Sequence, residues 1–324
     1  MTTINFAYEE VGGWTASYAS SLIPALQEMD GVEVNPVKFE EGATTEDIEH
    51  ELEMAPWCNW WLSSVLMERF LPEILDRADA LCEKVAAHAH GGFETDAFST
   101  MRIPGLNADD QYTLMDATDL VLVNSQWHKS RILERVRTAG PVAVVGHPLT
   151  IHGLNESEAA NKRILVPAAL CQEKQPILAA QILAPFKDQV AFCTSVFKEE
   201  HQEYARVLRA MGYEVAVWDK AEYHTQLYAA EIVFTASYTD TFNTSIAEGM
   251  MIGCHPVAPD LGVFQELVPE AFRYAPFDFE AARDMVRFIL MLAEKPFSWG
   301  LEHRFTPAVV AKNIVKAMET CPSR

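Results

Sequence analysis

The strongest constraint on this chain is a repeated alternation: short apolar runs are separated, from one end to the other, by longer amphipathic stretches. A short apolar run bounded by polar turns reads as a strand buried on both faces, and apolar positions recurring every three to four residues read as a helix. Strands are expected at INFAYE, VEVNPVKF, KVAAHAH, LVLVNS and VAVVGHP in the first half. In the second half they are expected at RILVPAA, QVAFCTS, EVAVWD, EIVFTAS and HPVAPD. Helices are expected between them at 14–29, 62–81, 109–118 and 126–138, then at 174–184, 198–211, 221–229, 244–252 and 279–294. This order predicts an α/β protein with parallel sheets wrapped by helices.

The chain has 324 residues, enough for about two domains of roughly 150 residues each. It is 49% hydrophobic and 22% charged, a balance that supports well-filled cores. The polar stretch IHGLNESEAANK at 151–162 lacks apolar periodicity and reads as the joint. One Rossmann-like domain is therefore expected over 1–150 and a second over 151–304. A last amphipathic helix follows at 305–324, with Val309, Ile314 and Ala317 among its apolar positions; it is able to pack on either domain, including back on the first. Ligands of open α/β sheets bind at the carboxyl ends of the strands, so a central cleft faced by both sheets is the expected site. The opening MTTINFAYEE has no basic stretch followed by a long apolar one and reads as the first strand, and no apolar run is long enough to span a bilayer. A cytoplasmic location is the expectation. The six cysteines, Cys58, Cys82, Cys171, Cys193, Cys254 and Cys321, form no CxxC pair, which argues against a zinc ribbon or a thiol redox motif.

The formal net charge is -21. That argues against broad, sequence-blind nucleic-acid binding, which needs many cations on phosphates. Glu40, Glu41, Glu46, Asp47, Glu49, Glu51 and Glu53 read as a solvated loop and helix face. The opposing signal is Lys129, Arg131, Arg135 and Arg137 in WHKSRILERVR, where Arg131 and Arg135 share a helix face able to hold a phosphate.

The most informative stretch is YTDTFNTSIAEGMMIGCHPVAPDLGVFQELVP, residues 238–269. A strand ends near Tyr238 and a helix begins near Thr244 or Ser245, offering free N–H groups and a positive dipole end to a phosphate or carboxylate. Glu248 falls about one turn inside that helix, placed to accept hydrogen bonds from two adjacent ribose hydroxyls. Gly253 closes the helix and HPVAP forms the next strand.

Asp240-x7-Glu248, with Phe242, Gly253, Pro256 and Val257 in register, resembles the E-x7-E motif of the retaining glycosyltransferases of family 4, which have the GT-B fold. The run GCHPVAPDLGVFQELVPEAFRYAP is most similar to the branch containing the queuosine-tRNA mannosyltransferases. Other segments fall in the family's order. Gly12-Gly13 matches its N-terminal glycine turn facing the donor. His88 and His90 in HAHGG stand where it places a histidine of the catalytic region. Lys174 matches its diphosphate lysine. The resemblance implies two Rossmann-like domains, the first on the acceptor side and the second binding the nucleotide sugar. It implies a UDP- or GDP-sugar as co-substrate, transfer with retention, and no tightly bound cofactor or metal. Glu248 would bind ribose. Lys174 and the N–H groups of Asn243, Thr244 and Ser245 would hold the diphosphate. Asp240 would contact sugar hydroxyls, and Phe242 would shape the donor pocket. The sequence departs from the family at three places: Ala169 replaces an arginine five residues before Lys174, Asp240 replaces a glutamate, and Asn243 replaces a glycine.

The acceptor is open. The queuosine-tRNA likeness implies a modified base in RNA or DNA, for which Trp57, Trp60 and Trp61 would form a stacking platform and Lys129 and Arg131 phosphate contacts. The better reading of the same tryptophans from the sequence is core or domain packing ahead of a helix. A small molecule or glycan is the other acceptor class. Two readings from other classes stand beside these. The first is a non-catalytic nucleotide-sugar-binding protein, motivated by Ala169. The second is a metallohydrolase built on His88, His90 and Asp96.

Overall fold

The structure, a computed structural model, describes residues 1–10, 14–40, 43–64, 71–89, 116–135, 140–152, 163–194, 201–292 and 299–322. The chain divides into two compact units: residues 1–149 with 304–324, and residues 150–303. The final helix therefore belongs to the N-terminal unit.

The N-terminal unit is built on a six-stranded sheet in the order β2-β1-β3-β4-β5-β6, from strands Thr2–Glu10, Val32–Glu40, Cys58–Ser64, Cys82–Ala89, Leu120–Val123 and Val142–Val144. Every pairing is parallel. Parallel strands need crossovers, so helices cover both faces and strands become buried on both sides, as the uniformly buried, apolar Leu120–Val123 illustrates. One core joins Ile4, Phe6, Leu62 and Leu122 of the sheet to Leu22 and Leu26 of helix α1 (Trp14–Gln27). The last helix of the chain (Pro307–Thr320) contributes Val310, Ile314 and Met318 to the same core. A second core holds Phe39, Trp61 and Val85 with Ile48 and Leu52 of helix α2 (Thr45–Met54). Helix α2 is most of the acidic stretch. Thr44 and Asp47 form a capping box at its start, and Arg77 meets Glu49 and Glu53 at 3.1 and 3.7 Å.

The expected helix over 62–81 is replaced by strand β3 through Ser64 and two short helices, α3 (Leu71–Asp76) and α4 (Ala78–Leu81). In CNWWLSS both faces are buried, so the run has no alternation of polarity to mark it as a strand. Adjacent strand residues point to opposite faces. Trp60 accordingly enters one core and Trp61 the other. The expected helix at 126–138 appears as α5 (Gln126–Arg135); most of the one expected at 109–118 lies outside the described residues, as does the polar stretch 153–162.

The C-terminal unit repeats the plan with a six-stranded sheet ordered β12-β11-β10-β7-β8-β9. Its strands are Ile164–Pro167, Val190–Thr194, Glu214–Val217, Ile232–Phe234, His255–Pro259 and Arg273–Tyr274, again all parallel. The last, a two-residue edge strand, was not among the expected ones. Helices α6 (Pro176–Ile182), α7 (His201–Ala210), α8 (Lys220–Ala229), α9 (Thr244–Met251), α10 (Phe264–Leu267) and α11 (Phe279–Leu290) surround the sheet. The core joins Ile164, Phe192, Phe234 and Val257 to Ala179, Leu208 and Val286 from the helices. Among the described residues, no helix is long and apolar enough to cross a membrane.

Because Ile314 is fully buried in the core of the N-terminal unit, Ile314→Ala is expected to cost about 2–5 kcal/mol. Chemical denaturation should show the loss in that unit's transition. An equal shift in the transition of residues 150–303 would contradict the division.

Candidate active site

In the C-terminal sheet β8 and β9 are added on one side of β7, and β10, β11 and β12 on the other. The loops leaving β7 and β10 therefore diverge from neighbouring strands, the usual ligand position in an open parallel sheet. Lys174 comes from the first loop, at the end of a 3-10 turn, Gln172–Lys174, and Asp240 comes from the second. Their side chains form a close ion pair, with Asp240 nearly buried and Lys174 mostly so. Burial works against the Lys174 charge, but the facing carboxylate outweighs it and holds the ammonium pKa above its ordinary value. Ser237 Oγ donates to the Glu173 carbonyl at 3.2 Å and ties the two loops together. Gln175, the next residue after Lys174, has a φ of 50°, a left-handed conformation costing a non-glycine residue about 1–2 kcal/mol. Ala169 is exposed in the same loop.

Asn243 accounts for its own departure from the expected glycine. Its Oδ1 accepts from the Ile246 N–H at 2.9 Å, making it the N-cap of α9, and its Nδ2 donates to Asp240 Oδ2 at 2.9 Å. The side chain thus fixes Asp240 relative to the helix start, which a glycine cannot do. The N–H groups of Thr244 and Ser245 have no acceptor within the helix and stand at its positive end. Phe242 is buried in the same loop.

Helix α9 lies unusually close to the sheet. A Cβ added to Gly249 would stand 2.6 Å from Val233 Cγ1 and 2.9 Å from its Cβ, so only glycine permits this contact. At the other end Gly253 has a φ of 91°; its N–H reaches the Met250 carbonyl at 3.1 Å, and the Cys254 N–H reaches the Gly249 carbonyl at 2.8 Å. This is the glycine helix stop expected from the sequence. Glu248, immediately before Gly249, is buried at 3% exposure. Its Oε1 accepts from Lys220 Nζ at 2.5 Å and lies 3.6 Å from His224 Nε2. Burial raises the Glu248 pKa, but the His224 imidazole and the Lys220 ammonium more than offset that and keep it below its ordinary value. Sequence reasoning missed Lys220 and His224. An ion pair between residues 28 apart follows no helical or strand spacing, so no local signal marked it.

In the N-terminal unit His88 lies near the end of β4, fully buried. Its Nε2 meets Asn124 Oδ1 at 3.0 Å, and its Nδ1 meets the Tyr18 hydroxyl. An amide oxygen only accepts, so Nε2 carries the proton and Nδ1 accepts from the phenol. Burial and the nearby His147 push the His88 pKa well below its ordinary value, and the Asn124 contact opposes them only in part. Burial alone pushes Tyr18 well above its own. His88 is therefore a neutral side chain held on both nitrogens. Asn124 was legible in principle: His88 pairs with Leu122 across the sheet, and Asn124 is two residues further, on the same face. Gly12, Gly13, His90 and Asp96 lie outside the described residues.

The tryptophans split. Trp57 is 58% exposed, whereas Trp60 and Trp61 are interior, so the latter two offer no open ring face for stacking. This corrects the expectation that all three lie on the approach to a helix. Lys129 and Arg131 lie on α5, and Arg131 is paired with Glu134 at 2.8 Å. Among the described residues no group of three or more His, Cys, Asp or Glu is arranged to hold a metal ion.

Two outcomes follow. Gly249→Ala should destabilise by about 1–3 kcal/mol, since overpacking against Val233 exceeds the helix propensity gained. Val233→Ala in the same chain should recover part of the loss, and unchanged denaturation midpoints would contradict the close packing. The second concerns pH. A histidine whose folded pKa is depressed contributes stability that is complete above its unfolded pKa, about 6.5, and is lost as pH falls below that value. His88→Gln should flatten the decline of stability between about pH 6.5 and 5 by up to roughly 1.4 kcal/mol per pH unit. An unchanged slope would mean that His88 titrates freely.

No protein-family profile matches this sequence. Solved structures do match its fold. The Anabaena protein HepE, in complex with UDP and glucose, is similar with a TM-score of 0.77 at 14% identity, covering 99% of this chain and 100% of HepE. Sucrose-phosphate synthase from Thermosynechococcus elongatus gives 0.68 at 12% identity, covering 99% and 95% of the two chains. The lipopolysaccharide outer core galactosyltransferase WaaB, in its apo form, gives 0.65 at 12% identity, covering 98% and 99%. Together with two six-stranded parallel sheets flanked by helices, these likenesses identify the fold of this chain as GT-B.

Proposed function

We propose that this chain is a glycosyltransferase that takes a sugar from a nucleoside-diphosphate sugar, and that residues 163–292 hold the donor. The observation that carries the reading is the meeting of Lys174, Asp240 and the capped start of α9 beside neighbouring strands β7 and β10, with Glu248 buried one turn further on. Each group suits one part of such a donor. The diphosphate needs cations and N–H donors, supplied by Lys174 and by Thr244 and Ser245 at the helix start. On its arrival the Lys174 ammonium exchanges Asp240 for phosphate oxygens, and the freed Asp240 carboxylate accepts from sugar hydroxyls. Glu248 accepts from ribose hydroxyls. Phe242 packs behind the loop that shapes this pocket, and the family resemblance adds Gly12 and Gly13 to the donor-binding residues of the proposal.

The reaction breaks the bond between the anomeric carbon and the diphosphate oxygen, forms a bond from that carbon to an acceptor hydroxyl oxygen, and passes the hydroxyl proton to the leaving diphosphate. Lys174 and the α9 dipole stabilise the charge that develops on the leaving group, so no metal ion is needed for that task. Retention of anomeric configuration is part of the proposal, carried by the Asp240-x7-Glu248 resemblance. UDP is the favoured nucleotide, because HepE, which shares the fold, was solved with UDP-glucose. The acceptor is proposed as a small hydroxylated molecule or a glycan. An RNA or DNA acceptor is disfavoured by the net charge of -21, the interior position of Trp60 and Trp61, and the Arg131–Glu134 pair. His90, two residues after the held His88, is the histidine to which the proposal, on the family resemblance, gives the catalytic role. A cytoplasmic location remains part of the same reading.

A thermal-shift screen of UDP, GDP, ADP and their sugars tests the donor class: a ligand at 100 times its Kd should stabilise by about 2.7 kcal/mol. Lys174→Ala and Glu248→Ala should each weaken binding of the selected nucleotide at least about tenfold, the scale of a lost charge-assisted hydrogen bond. Undiminished affinity in both would remove the assignment. Turnover of the bound donor with sugar acceptors, followed by NMR of the product anomer, tests transfer and retention. Binding without turnover across acceptors would favour a non-catalytic nucleotide-sugar-binding protein, and steep salt-dependent retention on RNA would favour a nucleic-acid acceptor.

A further inference from the structure

Glu248 is not a lone carboxylate. Lys220 starts helix α8 and reaches Oε1 at 2.5 Å while its ammonium also lies 5.6 Å from the centre of the Tyr223 ring. His224, four residues on and fully buried, faces the same oxygen at 3.6 Å. The imidazole is itself held. The backbone N–H of His152 donates to His224 Nδ1 at 2.9 Å, and the two rings stack at 5.6 Å and 14°. A nitrogen that accepts carries no proton, so the His224 proton sits on Nε2, aimed at Glu248. That nitrogen is buried and makes no hydrogen bond of its own. The chain of contacts runs from the His152 backbone through the His224 ring to Oε1, and Lys220 closes on the same atom from solvent. Both contacts fall on Oε1.

We infer that Lys220 and His224 are positioning residues for Glu248: together they claim Oε1, keep the carboxylate charged in its buried setting, and leave Oε2 as the oxygen that accepts ligand hydroxyls. This rests on the reading that Glu248 meets the nucleotide ribose. The charged and titratable groups facing Glu248 are Lys220, Tyr223 and His224 of α8 and His152 of the segment before β7. With Lys220 and His224 in place, the carboxyl titrates below the ordinary glutamate range. Without them, burial acts alone and raises its pKa above the ordinary glutamate value.

The test is UDP affinity by calorimetry from pH 5 to 8 in the full chain, each variant expressed as a ratio to wild type at the same pH so that titration of the nucleotide cancels. Lys220→Met is the primary variant, because the Lys220 side chain is 38% exposed and its loss leaves the core packing intact. The expected result is a modest loss at pH 8 that grows as pH falls, approaching about tenfold per pH unit once the carboxyl takes up its proton. Adding His224→Gln, which keeps an N–H donor, should leave that limb nearly where it was. Adding His224→Ala should move it to higher pH, and Lys220→Arg should restore the wild-type profile. A loss equal at every pH, or no rescue by Lys220→Arg, would overturn the inference. Glu248→Gln separates the two levels: unchanged affinity in that variant would refute the ribose reading itself. A large loss there with a flat Lys220→Met ratio would refute only the positioning role.

Discussion

A carboxylate removed from water must be answered by a cation or by donors at the same spot, or it loses its charge. The C-terminal unit obeys this constraint twice within one short segment. Asp240 is met by Lys174 and Asn243, and Glu248 by Lys220 with His224 behind it. Neither cation comes from the segment that carries the acids. Lys174 follows β7 and Lys220 opens the helix after β9, so the charge balance of the site depends on the order of the strands. A parallel sheet delivers all of its following loops to one edge, and a swap of strand positions would leave two buried acids unanswered.

The fold class was legible because apolar runs and amphipathic stretches alternate so regularly, and the start and stop of α9 were legible because helix ends have local chemistry. Gly253 marks the end of that helix without any knowledge of its surroundings, and Asn243 caps its start by a side chain in its own loop. CNWWLSS was misread because a strand buried on both faces shows no alternation of polarity; its character follows from the layers on either side of it. Lys220 and His224 were invisible for a related reason: their partner lies on another helix, reached only after the sheet is assembled. Tyr18 beside His88 belongs to the same class, being brought to it across 70 residues.

The large negative charge and the cationic groups of the site are reconciled by where each is spent. Glu49 and Glu53 lie on a helix at the surface, answered by Arg77 on its exposed side. The ammonium groups of Lys174 and Lys220 are instead committed inward, one to each buried acid. Under the proposed function, an incoming diphosphate would meet a cation already oriented by a carboxylate partner. It would replace an existing contact and would not have to order a free lysine chain, which lowers the entropy cost of binding.

The helix Pro307–Thr320 puts Val310, Ile314 and Met318 into the core built around Ile4, Phe6 and Leu22. In order of synthesis, the first residues of that core emerge from the ribosome some three hundred residues before the last. The unit over 150–303 is a continuous segment, complete as soon as it has been made, whereas its older neighbour waits with one apolar face uncovered. The half that begins first is the half that finishes last, and in the interval its exposed flank is the place where a nascent chain of this kind is open to chaperones or to misassociation.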